Sequence, residues 1–262
     1  MNFVDLLTSS TRKGNGSETA IPDNWMQGRT TFGGLSAALC LAEVQRTHVD
    51  LPPLRSAQIT FIGPAGGTVR ASSRVLRQGR SATFIEADLE TEKGLVARCI
   101  FVFGAARPSA FDQTFLDKSV LANPDAADPF FPPNGMAPHF TQHFDVRLAK
   151  GARPVSGATC NIHDIWVRFK DRDTPNNAVS LIAIADMPPP AIMPMMKEFA
   201  PVSSINWHLN FLVDAPDTQA GWWLLRSAAE HAREGYSSQN MLIWSAKGDP
   251  VIAGRQSVAV FG

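Results

Sequence analysis

The chain has 262 residues, with 24 acidic and 24 basic side chains that cancel, and only three cysteines, Cys40, Cys99 and Cys160. That balance excludes a nucleic-acid footprint built on a basic surplus, and scattered single cysteines exclude a disulfide framework or a CxxC metal site. No apolar run reaches the roughly 18 residues needed to cross a bilayer and the N-terminus lacks a secretory pattern, so a reducing cytoplasmic setting without a membrane partner is expected.

In chain order, the first element is an alanine-rich apolar segment of helical length at 34–46. Strands near 55–63 and 67–77 follow, and Pro64 stands just past the first, where proline stops ladder pairing. Residues 79–104 read GRSATFIEADLETEKGLVARCIFVFG. Ile85, Ala87 and Leu89 alternate there with Glu86, Asp88 and Glu90, the period of a half-buried strand. A turn at Lys93-Gly94 leads into a nearly continuous apolar strand at 96–103, expected to be central.

Residues 107–136 carry Pro108, Pro124, Pro129, Pro132, Pro133 and Gly135, the composition of a linker. Phe111, Phe115, Phe130 and Phe131 demand burial, so this linker is expected to be packed down. Two strands, HFDVRL and IHDIWVRF, come next, with no clear counterpart in the first half. A second apolar helix at 177–187 then opens a series that repeats the first. It has strands near 203–213 and 221–232, Pro216 in the place of Pro64, and a hairpin over 235–262, GYSSQNMLIWSAKGDPVIAGRQSVAVFG. Its turn is Lys247-Gly248 and its last strand lies near 256–261. Both hairpins open on Gly-x-Ser, turn at Lys-Gly and close on Val-Phe-Gly.

Helix then four strands, twice, describes an α+β chain in which each antiparallel sheet is covered on one face by its helix. The division expected is an N-terminal domain at 1–106, a packed linker at 107–136 and a C-terminal domain at 137–262. A single α+β domain with a chance internal likeness is the alternative.

Several chemistries lack their motifs. There is no G-x-S-x-G elbow, no P-loop and no H-E-x-x-H, and Gly14 and Gly16 lack the third glycine of a dinucleotide loop. The six histidines are dispersed, and His139 and His143 flank an expected strand, where their spacing does not converge on a metal. Neither metal nor organic cofactor is expected.

Three polar residues stand out against apolar surroundings. Asp186 ends the run AVSLIAIAD, where desolvation raises a carboxyl pKa and makes a better base. An exposed helix-terminal aspartate is the bland alternative, although it would oppose its own helix dipole. Gln256 shares a strand face with Val258 and Val260, and its amide must find partners there. A core glutamine satisfied by backbone is equally compatible. Ser204 opens SSINWHLNF, and strict alternation puts it on one polar face with Asn206, His208 and Asn210.

Thr31-Phe32-Gly33-Gly34 before an alanine-rich helix is similar to the start of the first helix in the TesB-like double-hotdog acyl-CoA thioesterases, and GRQSVAVF resembles that family's last strand. The resemblance covers nearly the whole chain. It implies a tandem hotdog, two antiparallel sheets each wrapped on a central helix, and an acyl-CoA substrate. It also implies a site made of Asp186, Ser204 and Gln256, with serine where the family has threonine or serine. Asp186 would activate water against the thioester carbonyl. Backbone N–H groups of Gly33 and Gly34 are candidate oxyanion donors, with plain helix initiation as the competing reading. The Met/Pro-rich MPPPAIMPMM after Asp186 is a departure that either shapes an acyl pocket or is an ordinary apolar loop. The first carboxylate of the first-half helix is Glu43, well along it, so the pseudo-symmetric site is expected to lack a base and Glu43→Gln to be nearly silent. A non-catalytic acyl-CoA or lipid binder and an enoyl-CoA hydratase remain as alternatives. The absence of histidine from 178–190 speaks against the hydratase. Homo-oligomerisation is left open.

Overall fold

A computed structural model of the chain describes residues 1–120, 123–131 and 137–261. Pro132, Pro133 and Gly135 of the expected linker, and its boundary at 136, lie outside the described residues. The first half runs α1 (Phe3–Ser9), β1 (Thr11–Lys13), β2 (Gly16–Ala20), a short ribbon of β3 (Met26–Gln27) and β4 (Thr30–Thr31), then α2 (Gly33–Thr47). Strands β5 (Leu54–Phe61), β6 (Thr68–Gln78), β7 (Ala82–Thr91) and β8 (Gly94–Gly104) complete it. The second half runs β9 (Asp128–Pro129), β10 (Phe144–Lys150), β11 (Ile162–Phe169) and α3 (Ala178–Ala185). Strands β12 (Val202–Phe211), β13 (Trp223–Arg233), β14 (Tyr236–Ser245) and β15 (Pro250–Val260) close the chain.

The order across the sheet is β1-β2-β6-β7-β8-β5-β12-β15-β14-β13-β11-β10-β9. Read outward from the centre, each half repeats the other: β5-β8-β7-β6-β2-β1 on one side and β12-β15-β14-β13-β11-β10 on the other. The strands before the second helix therefore do have counterparts, β2 and β1, too short and polar to be recognised from pattern. The expectation of two separate sheets is corrected. Strands β5 and β12 pair directly, with Gln58 opposite His208 and Ala57 opposite Leu209, so one 13-stranded antiparallel sheet passes through both halves. Pairing removes two edges whose open N–H and C=O groups would otherwise face water.

Both helices sit on the inner face of this sheet and touch each other. Helix α2 is buried almost all round from Gly34 to Val44, which its small side chains Ala37, Ala38 and Cys40 permit. Helix α3 starts on a reciprocal cap, in which the Asn177 side chain accepts from the Ser180 N–H and Ser180 Oγ accepts from the Asn177 N–H. The hairpin turns fall as expected, with Gly94 and Gly248 at positive φ. The closing strand is longer than its apolar run, because β15 begins at Pro250.

The linker is packed down in part. The Trp244 indole donates to the Asp117 carbonyl at 2.9 Å, Ser119 N–H donates to Gly248 O at 3.0 Å, and Lys118 pairs with Asp249. Phe130 is fully buried and meets Phe131 edge-on. Phe111 and Phe115 were expected inside but are exposed, since the linker is held here by its backbone and charged groups. His139 and His143 lie in a 3₁₀ turn rather than flanking a strand on both sides. His143 stacks on Trp25, and burial pushes its pKa down to about 4. No helix among the described residues is long and apolar enough to cross a membrane.

Candidate active site

The site forms where the end of one helix meets the start of the other. Phe32, buried and stacked on Phe140 at 4.0 Å, anchors the start of α2 against the second half of the chain. Gly33 and Gly34 then allow a contact that no side chain would. A Cβ on Gly34 would lie 2.5 Å from the Ala183 carbonyl, and one on Gly33 would lie 2.6 Å from Asp186 Oδ2. The first turn of α2 is thus pressed against the last turn of α3, with its free N–H groups at the carboxylate.

Asp186 caps the C-terminus of α3. Its own helix dipole disfavours negative charge there, while the facing N-terminus of α2 favours it. Burial pushes the carboxyl up to about 7, against the downward pull of a hydrogen bond from Gln256 and one from the Gly34 N–H. Among the described residues no basic side chain pairs with it, and the residue keeps some exposed surface. A carboxyl that titrates near neutrality without a cation is suited to taking and returning a proton.

The structure brings Asp186, Ser204 and Gln256 together. Gln256 Nε2 donates to Asp186 Oδ1 at 3.1 Å and to Ser204 Oγ at 2.8 Å. Gln256 faces inward with Trp207 and Val258, as alternation predicts. Ser204 departs from alternation. A bulge at Ile205 shifts the register, so Ser204 pairs with Val258 while Asn206 pairs with Ser257. The extra residue turns Ser204 to the inner face, and His208 and Asn210 stay exposed on the outer one. Gly33 and Gly34 sit at the start of α2 beside this carboxylate, with the Gly34 N–H favouring its charged form.

One residue escaped the sequence reading. Gln239 on β14 is buried directly opposite Gln256, and its Nε2 donates to Gln256 Oε1 at 2.7 Å. Its signal was the same as that of Gln256, an amide at inward parity in an apolar strand. After Asp186, Met187, Ala191 and Met193 are buried, and Met193, Pro194 and Met196 carbonyls accept backbone bonds from residues 155–158. This segment is therefore an ordered wall beside the carboxylate.

The first half has no such site. The inner face of β8 is Ala97, Cys99, Phe101 and Phe103, with Cys99 against Cys40 of α2. Counting from the first residue of each helix, the place of Asp186 falls to buried Leu41. Glu43 is 1% exposed and locked: Arg12 Nη1 reaches its Oε1 at 2.7 Å, Thr47 Oγ1 at 2.6 Å, and Ser17 and Arg46 hold Oε2. Through Arg12 and Ser17 that carboxylate ties α2 to β1 and β2, so Glu43→Gln is expected to be felt in stability rather than in turnover. No group of His, Cys, Asp and Glu suited to hold a metal occurs among the described residues.

Comparison with known proteins gives the family and the fold. A sequence model of the acyl-CoA thioesterase C-terminal domain matches residues 121–260, and one of the N-terminal domain matches residues 21–104. No curated protein sequence matches the chain. Among solved structures, a hot dog fold protein of unknown function from Alicyclobacillus acidocaldarius superposes with a TM-score of 0.88 at 20% identity, covering 100% of this chain and 99% of that one. Acyl-CoA thioesterase II TesB2 from Mycobacterium marinum gives 0.75 at 16% identity, with 99% and 98% covered. The tesB protein of Mycobacterium avium subsp. paratuberculosis gives 0.77 at 12%, with 99% and 98% covered. At such identities these structures show the fold, which is the hotdog.

Proposed function

We propose, from the premise that this chain belongs to the acyl-CoA thioesterase family, that it hydrolyses acyl-CoA thioesters to free acid and CoA with water activated by Asp186. The observation that carries this reading is the carboxyl itself, raised to about 7 by burial, bonded to Gln256 and free of any cation among the described residues. A water beside it donates a proton to Asp186 and accepts one hydrogen bond from Ser204. Its remaining lone pair attacks the thioester carbonyl. The tetrahedral intermediate then collapses, the C–S bond breaks, and the proton on Asp186 goes to the departing CoA sulfur. General-base help of this kind is worth roughly 10²–10⁴ in rate. Ser204 and Gln256 orient rather than accept, and neither a metal nor an organic cofactor takes part. The Met/Pro segment after Asp186 lines the acyl side, where methionine adapts to chains of different shape.

The direct test is a panel of acyl-CoAs incubated with the purified chain, with free thiol and free acid measured together. Equal release of both, unchanged by EDTA, is expected. Tight acyl-CoA binding without release would make the chain a binding protein. Loss of the enoyl double bond with the thioester intact would make it a hydratase.

A further inference from the structure

Gln239 is 1% exposed and both ends of its amide are engaged. Its Oε1 accepts from the backbone N–H of Ala191 at 2.7 Å, and its Nε2 donates to Gln256 Oε1 at 2.7 Å. A backbone N–H can only donate, so it dictates which end of Gln239 faces it. That choice dictates the next one. With its oxygen facing Gln239, Gln256 must turn its nitrogen toward Asp186 Oδ1 and Ser204 Oγ. The two ends of a primary amide are nearly equal in size, so packing alone does not select between them.

We infer that Gln239 is a positioning residue that sets the polarity of the Gln256 amide and, through Ala191, links it to the segment that follows Asp186. The inference deepens the reading of Asp186 as the base and rests on it. Two consequences follow from the orientation. An N–H aimed at Asp186 favours the carboxylate over the acid, which keeps the base ionised. Both hydrogens of Gln256 Nε2 are then committed, so Ser204 accepts there and keeps its own hydrogen for the water. A reversed amide would undo both: its oxygen would favour protonated Asp186 and would draw the hydrogen of Ser204. Ala191 lies five positions beyond Asp186 and is fully buried. Whatever displaces this wall of the acyl side therefore acts on the amide chain as well.

The test uses full-length protein labelled with ¹³C-aspartate, following the carboxyl signal of Asp186, assigned by its loss in Asp186→Asn. This readout needs no substrate, so it stays informative even where the hydrolysis assay fails. Gln239→Met keeps the approximate shape but neither donates nor accepts through an amide. The titration midpoint is expected to move upward by about one pH unit in Gln239→Met. In a Gln256→Ala background the same Gln239→Met change should move it no further, because the effect passes through Gln256. In the assay, the acid limb of the kcat/KM profile should move up by the same amount. A folded Gln239→Met protein that titrates as the unaltered chain does would overturn the inference. So would a shift that persists without Gln256. Should Gln239→Met lose its cooperative melt, Gln239→Glu carries the comparison. Its shift must be larger with Gln256 present than absent, and equal shifts would contradict the relay.

Discussion

Glu43 on α2 and Asp186 at the end of α3 are carboxylates on the helices that cover the two halves of one sheet, yet they are held in opposite ways. Glu43 meets Arg12 and Arg46 together with the hydroxyls of Ser17 and Thr47. Asp186 meets an amide and a backbone N–H and no cation among the described residues, and burial raises it to about 7. Burial alone does not mark a reactive group. What separates the two is whether arginines stand against the carboxylate or whether it is met by neutral donors alone.

This contrast can be broken or sharpened by substitution. The largest effect is expected from Asp186→Asn, which keeps the shape and removes the acceptor. It should lower kcat by about 10²–10⁴ with little change in KM, as steady-state kinetics on an acyl-CoA substrate would read. Gln256→Ala and Ser204→Ala should each cost less, about 10–100-fold in kcat. Combined with Asp186→Asn they should add little, because the three act as one unit. Glu43→Gln should do the reverse. It leaves turnover per folded molecule unchanged but lowers stability by about 1–3 kcal/mol in urea melts, since it removes the charge that two half-exposed arginines share. A Glu43→Gln protein that is stable but inactive would erase the distinction between the halves.

The smallest effect concerns stability at the site. Asp186 is raised in the folded chain, so its contribution is full below the ordinary carboxylate range near pH 4 and is lost as pH rises through about 7. Above that, folding keeps a partly buried charge that it would rather not have. Asp186→Asn should therefore be more stable than the unaltered chain at pH 8, with the difference fading toward pH 4. Thermal melts at the two pH values would show it.

The repeat was legible because its signals are local: glycine at Lys93-Gly94 and Lys247-Gly248, alternation in β7, and small residues in α2. Merging of the two sheets was not, since pairing of β5 with β12 depends on edges that only the folded halves bring together. Strands β1 and β2 were missed because segments of three and five residues, without large apolar side chains, carry no readable period. At the site, Asp186 and Gln256 stood out as polar side chains in apolar runs. Ser204 was placed on the wrong face by strict alternation, because the bulge at Ile205 leaves no mark in SSINWHLNF. Two of the partners of Glu43, Arg12 and Ser17, come from β1 and β2, so that tie was invisible for the same reason those strands were.

The most direct measurement is the pH dependence of kcat/KM for an acyl-CoA substrate between pH 5 and 9, in the unaltered chain and in Asp186→Asn. The proposed mechanism requires activity to rise with a single ionisation near 7 and to level off above it, as Asp186 loses its proton. The residual activity of Asp186→Asn should lack that inflection. A flat profile in the unaltered chain, or the same inflection surviving in a folded Asp186→Asn protein, would contradict the assignment of Asp186 as the base.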